Sequence, residues 1–180
     1  MIIKIALLAT FGLFAFTSCV EKEDKSAREF PQELLIDSER YELAELIVFN
    51  YGPNPNLYQG ASFNLSLISE GIKVHTDSAT VPDSLSGTGY VLHLETYSPD
   101  SLSIREGEYL LDTSKALYTI SQADLITYNL SNSISQSLKS GSLEVIRLGE
   151  VYTLVGAFKG QEGEEVEFSF QSELNVFRRF

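Results

Sequence analysis

From Tyr41 onward, short runs rich in β-branched and aromatic residues are separated by clusters of Gly, Pro, Asn, Asp and Ser, and no long amphipathic helix interrupts them. That punctuation predicts an all-β fold of antiparallel strands, because each cluster supplies the backbone freedom of a turn between two half-buried segments. In residues 41–51 apolar side chains fall on both faces (Leu43, Ile47 and Phe49 against Leu46 and Val48), so this strand is expected to be covered on both sides. It ends at Gly52-Pro53-Asn54-Pro55-Asn56, where the prolines withhold ladder donors and the asparagines favour turns. Residues 62–69 alternate cleanly, with Phe63, Leu65 and Leu67 on one face and Asn64 and Ser66 on the other, the pattern of a strand with one wet face.

Further strands are expected at 90–96, 108–111, 117–120, 143–148, 151–158 and 165–170. Gly149-Glu150 joins 143–148 to 151–158 as a two-residue connection of the II′ kind, which predicts a hairpin with Leu143, Val145, Tyr152 and Leu154 turned to the core. Residues 121–140 mix signals. Ile126-Thr127-Tyr128 has strand propensity, whereas the Ser/Asn-rich stretch 131–140 reads as a loop, so the expectation is strand then loop.

The chain has 180 residues, 43% of them hydrophobic, enough for one domain with a real core. Thirteen Lys and Arg against 25 Asp and Glu give a net charge of −12, so there is no basic stripe for a phosphate backbone and nucleic acid is not expected as a partner. One Cys excludes an internal disulfide, and two His leave little for a metal centre. No Gly-x-Ser-x-Gly elbow is present, and His75 and His93 both lie in predicted strands, where local hydrogen bonding accounts for them. The loop carboxylates Asp77, Asp83, Asp100 and Asp112 lack the spacing of a calcium loop. No cofactor, metal site or catalytic residue is expected, and the chain is not read as an enzyme. Nine Tyr and eleven Phe with no Trp are more suggestive. Tyr51, Tyr58, Tyr90 and Tyr97 flank the Gly/Pro/Asn loops, where an aromatic face beside Asn and Asp suits a carbohydrate or a protein interface.

The first residues are an address rather than part of the fold. Lys4 provides a positive start, and residues 5–16 are uncharged and apolar, a run too short to span a hydrocarbon core of about 30 Å. Phe16-Thr17-Ser18-Cys19 resembles the lipobox of bacterial lipoproteins. That resemblance implies that a type II signal peptidase cuts before Cys19 and that the Cys19 sulfur becomes a diacylglyceryl thioether, with fatty acid such as palmitate holding the protein on a membrane. The acidic cluster in Val20-Glu21-Lys22-Glu23-Asp24-Lys25 just behind it is similar to the export signal of surface lipoproteins in the Bacteroidota. The chain therefore divides into a signal peptide (1–18), an acidic tether (19–40) and a single antiparallel β domain (41–180).

Within that domain, Leu102 to Tyr109 with its Gly107-x-Tyr109 strand entry, Ser140-Gly141-Ser142-Leu143-Glu144-Val145 and Tyr152-Thr153-Leu154 resemble a pattern recurrent in small Bacteroidota envelope lipoproteins. The resemblance covers about residues 94–174 and implies an antiparallel β domain without an assigned activity. Sandwich is the expected architecture, with a calycin- or lipocalin-like β-barrel as the alternative. The function expected is that of an outer-membrane lipoprotein, surface-exposed or facing the periplasm, whose non-catalytic β domain binds a glycan or an envelope protein. The alternative is a structural or assembly lipoprotein of an envelope complex, and a hydrolase is the weaker third reading.

Overall fold

The computed structural model describes residues 30–77, 80–130 and 132–179. The signal peptide, Cys19 and the acidic cluster behind it lie outside the described residues. Eleven strands form: β1 (Glu33–Ile36), β2 (Glu39–Pro53), β3 (Ala61–Ser69), β4 (Ile72–Thr76), β5 (Pro82–Ser98), β6 (Gly107–Leu111), β7 (Thr119–Leu130), β8 (Asn132–Leu148), β9 (Val151–Gly160), β10 (Glu165–Glu173) and β11 (Val176–Arg178). The fold is all-β and dominated by antiparallel pairing, and it is sandwich-like. Strands β2, β3, β5 and β7 face β8, β9, β10 and β1 across one core, and hydrogen bonding continues round both margins, through β7 to β8 on one side and β1 to β2 on the other.

The alternation of strand direction gives the molecule two ends. One, the loop end, carries the β2–β3, β5–β6 and β6–β7 connections and the tight β8–β9 turn. The other, the turn end, carries the β1–β2, β3–β4 and β9–β10 turns. The core between the layers is packed with side chains from all of the main strands, among them Phe63, Leu65, Leu94, Tyr109, Leu154 and Phe168. A smaller apolar cluster lies on the outer face of β2, β3 and β5, where Ile47, Ile68 and Val91 are covered by Ile72, Leu85 and Phe177. This second cluster explains why β2 is apolar on both sides. A β-bulge between Leu43 and Glu45 changes its phase, so Leu43 joins Val48 in the main core although an odd number of positions separates them.

Two expectations change. The folded sheet begins at Glu33, inside the segment read as tether. Leu34 is fully buried because β1 is clamped between β2 and β10, so a four-residue strand with few apolar positions still contributes to the core. The Ser/Asn-rich stretch read as a loop is the first half of β8, paired with β7 from Asn129↔Asn132 to Asp124↔Ser137. Backbone pairing with β7 satisfies this stretch, and its mostly exposed side chains need no apolar character. The β8–β9 hairpin forms in the expected register, Leu148 opposite Val151, with Gly149 at φ 65°.

Candidate functional site

With the interior filled, the concavities that offer a site are on the outer surface. One of them is a trough of about 1000 Å³ on the outer face of β1, β6, β8, β9 and β10. Pairing register builds it. Glu108 lies opposite Glu144, Glu144 opposite Val155, Val155 opposite Ser169 and Ser169 opposite Glu33, one outward row across five strands. The next row brings Ser142, Ala157 and Glu167 alongside. The result is a floor of small side chains under walls bearing Glu33, Glu106, Glu108, Glu144 and Glu167.

Arg147, at one margin, is engaged elsewhere. Its guanidinium lies 3.6 Å from the Glu150 carboxylate and 5.1 Å from the centre of the Tyr152 ring. Glu33 is neutralised by Arg40, whose Nε is 2.9 Å from Glu33 Oε2. Among the described residues no group of three His, Cys, Asp or Glu is arranged to hold a metal ion. The trough can therefore accept hydrogen-bond donors and cationic groups and disfavours anions. Sequence reading missed it. The available signal was the recurrence of Glu on the outward phase of strands 107–111, 143–148 and 165–170, which becomes a cluster only once strand order is known.

The four tyrosines singled out from the sequence are not brought onto one platform. The Tyr97 ring is fully buried on the outer face of β5 under the β2–β3 loop. Its hydroxyl donates to the Glu95 carboxylate and lies 3.2 Å from Ser121 Oγ, and burial followed by Glu95 pushes the phenol up to about 12. The Tyr58 ring stacks at a tilt on Tyr97, 5.1 Å between centres, and its hydroxyl donates to the Gly52 carbonyl at 2.9 Å. Tyr51 is exposed on β2 with its ring 6.5 Å from that of Phe49. Tyr90 is at the turn end, 4.5 Å from the Tyr41 ring, in a separate concavity of about 490 Å³ shared with Arg40, Glu42, Glu70, Thr127 and Tyr128.

A third polar setting crosses the outer face of β3, β5, β7 and β8, where Ser66, His93, Asp124 and Ser137 are register neighbours. Ser66 Oγ is 3.1 Å from His93 Nδ1. The Asp124 carboxylate is taken by Ser137, whose hydroxyl donates at 2.6 Å, and by the Gln122 amide. The residue types are those of a hydrolytic triad, but Asp124 is held by β7 and β8 rather than orienting the imidazole, so the row is a cross-strand polar ladder.

Burial lowers the His93 pKa from its ordinary 6.5, opposed in part by Asp124 and Glu95. The folded state therefore takes up this proton less readily than the unfolded chain, and stability falls as pH drops below about 6.5 toward the lowered value. We expect the urea midpoint to decline between pH 7.5 and 5.5, and His93→Gln to flatten that slope. Asp100 and Glu164, both held below their ordinary values chiefly by backbone hydrogen bonds, add their loss only at lower pH.

Comparison with protein-family models, with curated proteins and with solved structures found no match to this chain.

Proposed function

We propose that this chain is a lipoprotein of the outer membrane, anchored by acyl chains on Cys19, whose β domain binds a glycan or another envelope protein and performs no chemistry on it. The observation that carries the binding role is the trough. It is a concavity of about 1000 Å³ on the outside of a domain whose interior is occupied by its own side chains. A neutral polyhydroxy ligand or a protein segment bearing Lys, Arg or amide donors fits its chemistry, since both offer hydrogens to the Glu108, Glu144 and Glu167 carboxylates.

The anchor follows from the lipobox-like Phe16-Thr17-Ser18-Cys19. Each buried methylene contributes about 0.8 kcal/mol, so two or three acyl chains hold a domain this size on a bilayer without a spanning segment. Two measurements test the reading. Metabolic labelling with a fatty-acid analogue should mark the protein, and Cys19→Ser should abolish both the label and membrane retention. A glycan array and an envelope pull-down should each be run against the Glu108→Gln/Glu144→Gln variant. A ligand or partner captured equally by the variant would remove the trough from the proposal, and turnover of a generic ester, phosphate or glycoside substrate would replace binding with catalysis.

A further inference from the structure

Among the described residues, nine large apolar side chains are exposed; six of them (Tyr51, Leu57, Leu102, Leu117, Tyr118 and Leu148) lie at or beside the loop end, and Leu110 lies mid-sheet on β6 opposite Ser142. The other two, Leu130 and Ile134, flank the β7–β8 tip at the opposite end. Scattered exposed leucines need no explanation, whereas this concentration at one end does.

These side chains are held out by structure. Asp100 accepts from the Leu102 amide at 2.8 Å and from the Ser103 hydroxyl at 3.1 Å, and Ser101 is tied to β2 through the buried Asn50, whose amide donates to its carbonyl at 2.9 Å. Leu57 is carried on a turn closed by its own amide to the Asn54 carbonyl at 2.9 Å, and the Gln59 amide donates to the Lys115 carbonyl at 3.1 Å, joining the β2–β3 loop to the β6–β7 loop.

Charge is distributed in the same direction. The loop-end connections 54–60, 99–106, 112–118 and 149–150 carry two cations, Arg105 and Lys115, and four carboxylates, Asp100, Glu106, Asp112 and Glu150, the last paired with Arg147 at 3.6 Å. The turns at 37–38, 70–71 and 161–164 carry Asp37, Glu70, Glu162 and Glu164 and no Lys or Arg. The loop end is thus nearly neutral in a domain with 21 Asp and Glu against nine Lys and Arg. It is the end at which an acidic protein can approach a lipid headgroup layer without strong repulsion.

The path of the chain agrees. Strand β1 runs toward the turn end, where it meets the 37–38 turn, and residues 30–32 lie on its loop-end side, with the Gln32 side-chain amide donating to the Gln171 carbonyl of β10 at 3.1 Å. Only ten residues lie between Cys19 and Phe30, and the eleven steps from one to the other reach at most roughly 36–40 Å.

We infer that the loop end, through Leu57, Leu102 and Leu117, docks on the bilayer surface that holds the Cys19 anchor, leaving the acidic turn end directed away from the membrane. The inference rests on the lipid anchor proposed above and adds an orientation to it. Acylation makes the test convenient, because the chain has no other Cys and Leu57→Cys or Ile134→Cys then provides a single free thiol in the full-length protein. Each variant, spin-labelled and reconstituted into phosphatidylethanolamine/phosphatidylglycerol vesicles, is first checked for flotation with the vesicles and then for collision with lipid-soluble oxygen and with a water-soluble nickel chelate.

The expected result is an oxygen-to-nickel collision ratio several-fold higher at 57 than at 134, reproduced by Leu102→Cys. Equal ratios in floating protein would overturn the docking while leaving the anchor intact. Screening of position 57 in native envelopes but not in lipid vesicles would overturn it in favour of a protein occupant. Failure to float would sink the anchor and the inference together.

Discussion

Val145→Asp should unfold the domain or come close to it. Val145 is 2% exposed on β8, paired with Gly107 of β6 and Leu154 of β9, and it points into the main core among Leu143, Leu154 and Tyr109. A carboxylate there meets no donor and has no route to water. The cost of such an unpaired buried charge is on the order of 4 kcal/mol, a large share of a folding stability of about 5–15 kcal/mol. For a domain of this size that corresponds to a fall in Tm of about 10 °C or more. Val155→Thr, on the same hairpin but facing the outer trough, should change stability by less than about 1 kcal/mol. Thermal unfolding followed by circular dichroism distinguishes the two, and an unchanged melting curve for Val145→Asp would place that face of β8 outside the core.

Gly60→Ala is the second change expected to have a large effect, and for a different reason. Gly60 ends the β2–β3 loop at φ 69°, in the left-handed region where an L-residue costs roughly 1–2 kcal/mol. A Cβ on it would stand 2.2 Å from the Ser98 carbonyl oxygen and 2.7 Å from a Leu117 methyl. The first neighbour is backbone and cannot rotate aside, so the β2–β3 and β5–β6 connections must separate. With overpacking added, the expected loss is about 3 kcal/mol. If the loops do part, Tyr58 lifts from Tyr97, and the raised ionisation of the Tyr97 phenol should return toward the ordinary range in a spectrophotometric pH titration. Gly149→Ala makes a useful comparison. It carries a similar positive φ with nothing within 4 Å, so only the backbone part of the cost should remain.

Strand identity was legible where apolar and polar side chains alternate, although the wet face expected for 62–69 is covered: no residue of β3 is exposed, and Ile68 lies in the outer apolar cluster. Residues 62–69 and the 143–158 hairpin show the period of two directly, and Gly149-Glu150 fixed the register between the two hairpin strands. The sequence signal failed at β1 and at the start of β8, where pairing rather than side-chain character makes the strand. Leu34 is buried because β10 arrives beside it, and no local pattern announces a partner 134 positions away. The same limit applies to the surface. Tyr97 looked like a loop-flanking platform residue and proves buried, because the β2–β3 loop folds over it and Tyr58 covers its ring. The carboxylates of the trough were visible only as scattered Glu residues, since their meeting depends on the order β1, β10, β9, β8, β6, which a single chain does not spell out.

That strand order also has a consequence in time. The margin that closes the sheet pairs Glu33 through Ile36 with Val166 through Ser169, so the first strand of the domain has no second neighbour until nearly the whole chain is present. Contacts of such sequence separation are slow to form, because the entropy of closing the intervening loop must be met before pairing returns anything. Until the last strands arrive the N-terminal hairpins remain an open, incomplete sheet, and the domain locks only when β10 reaches β1.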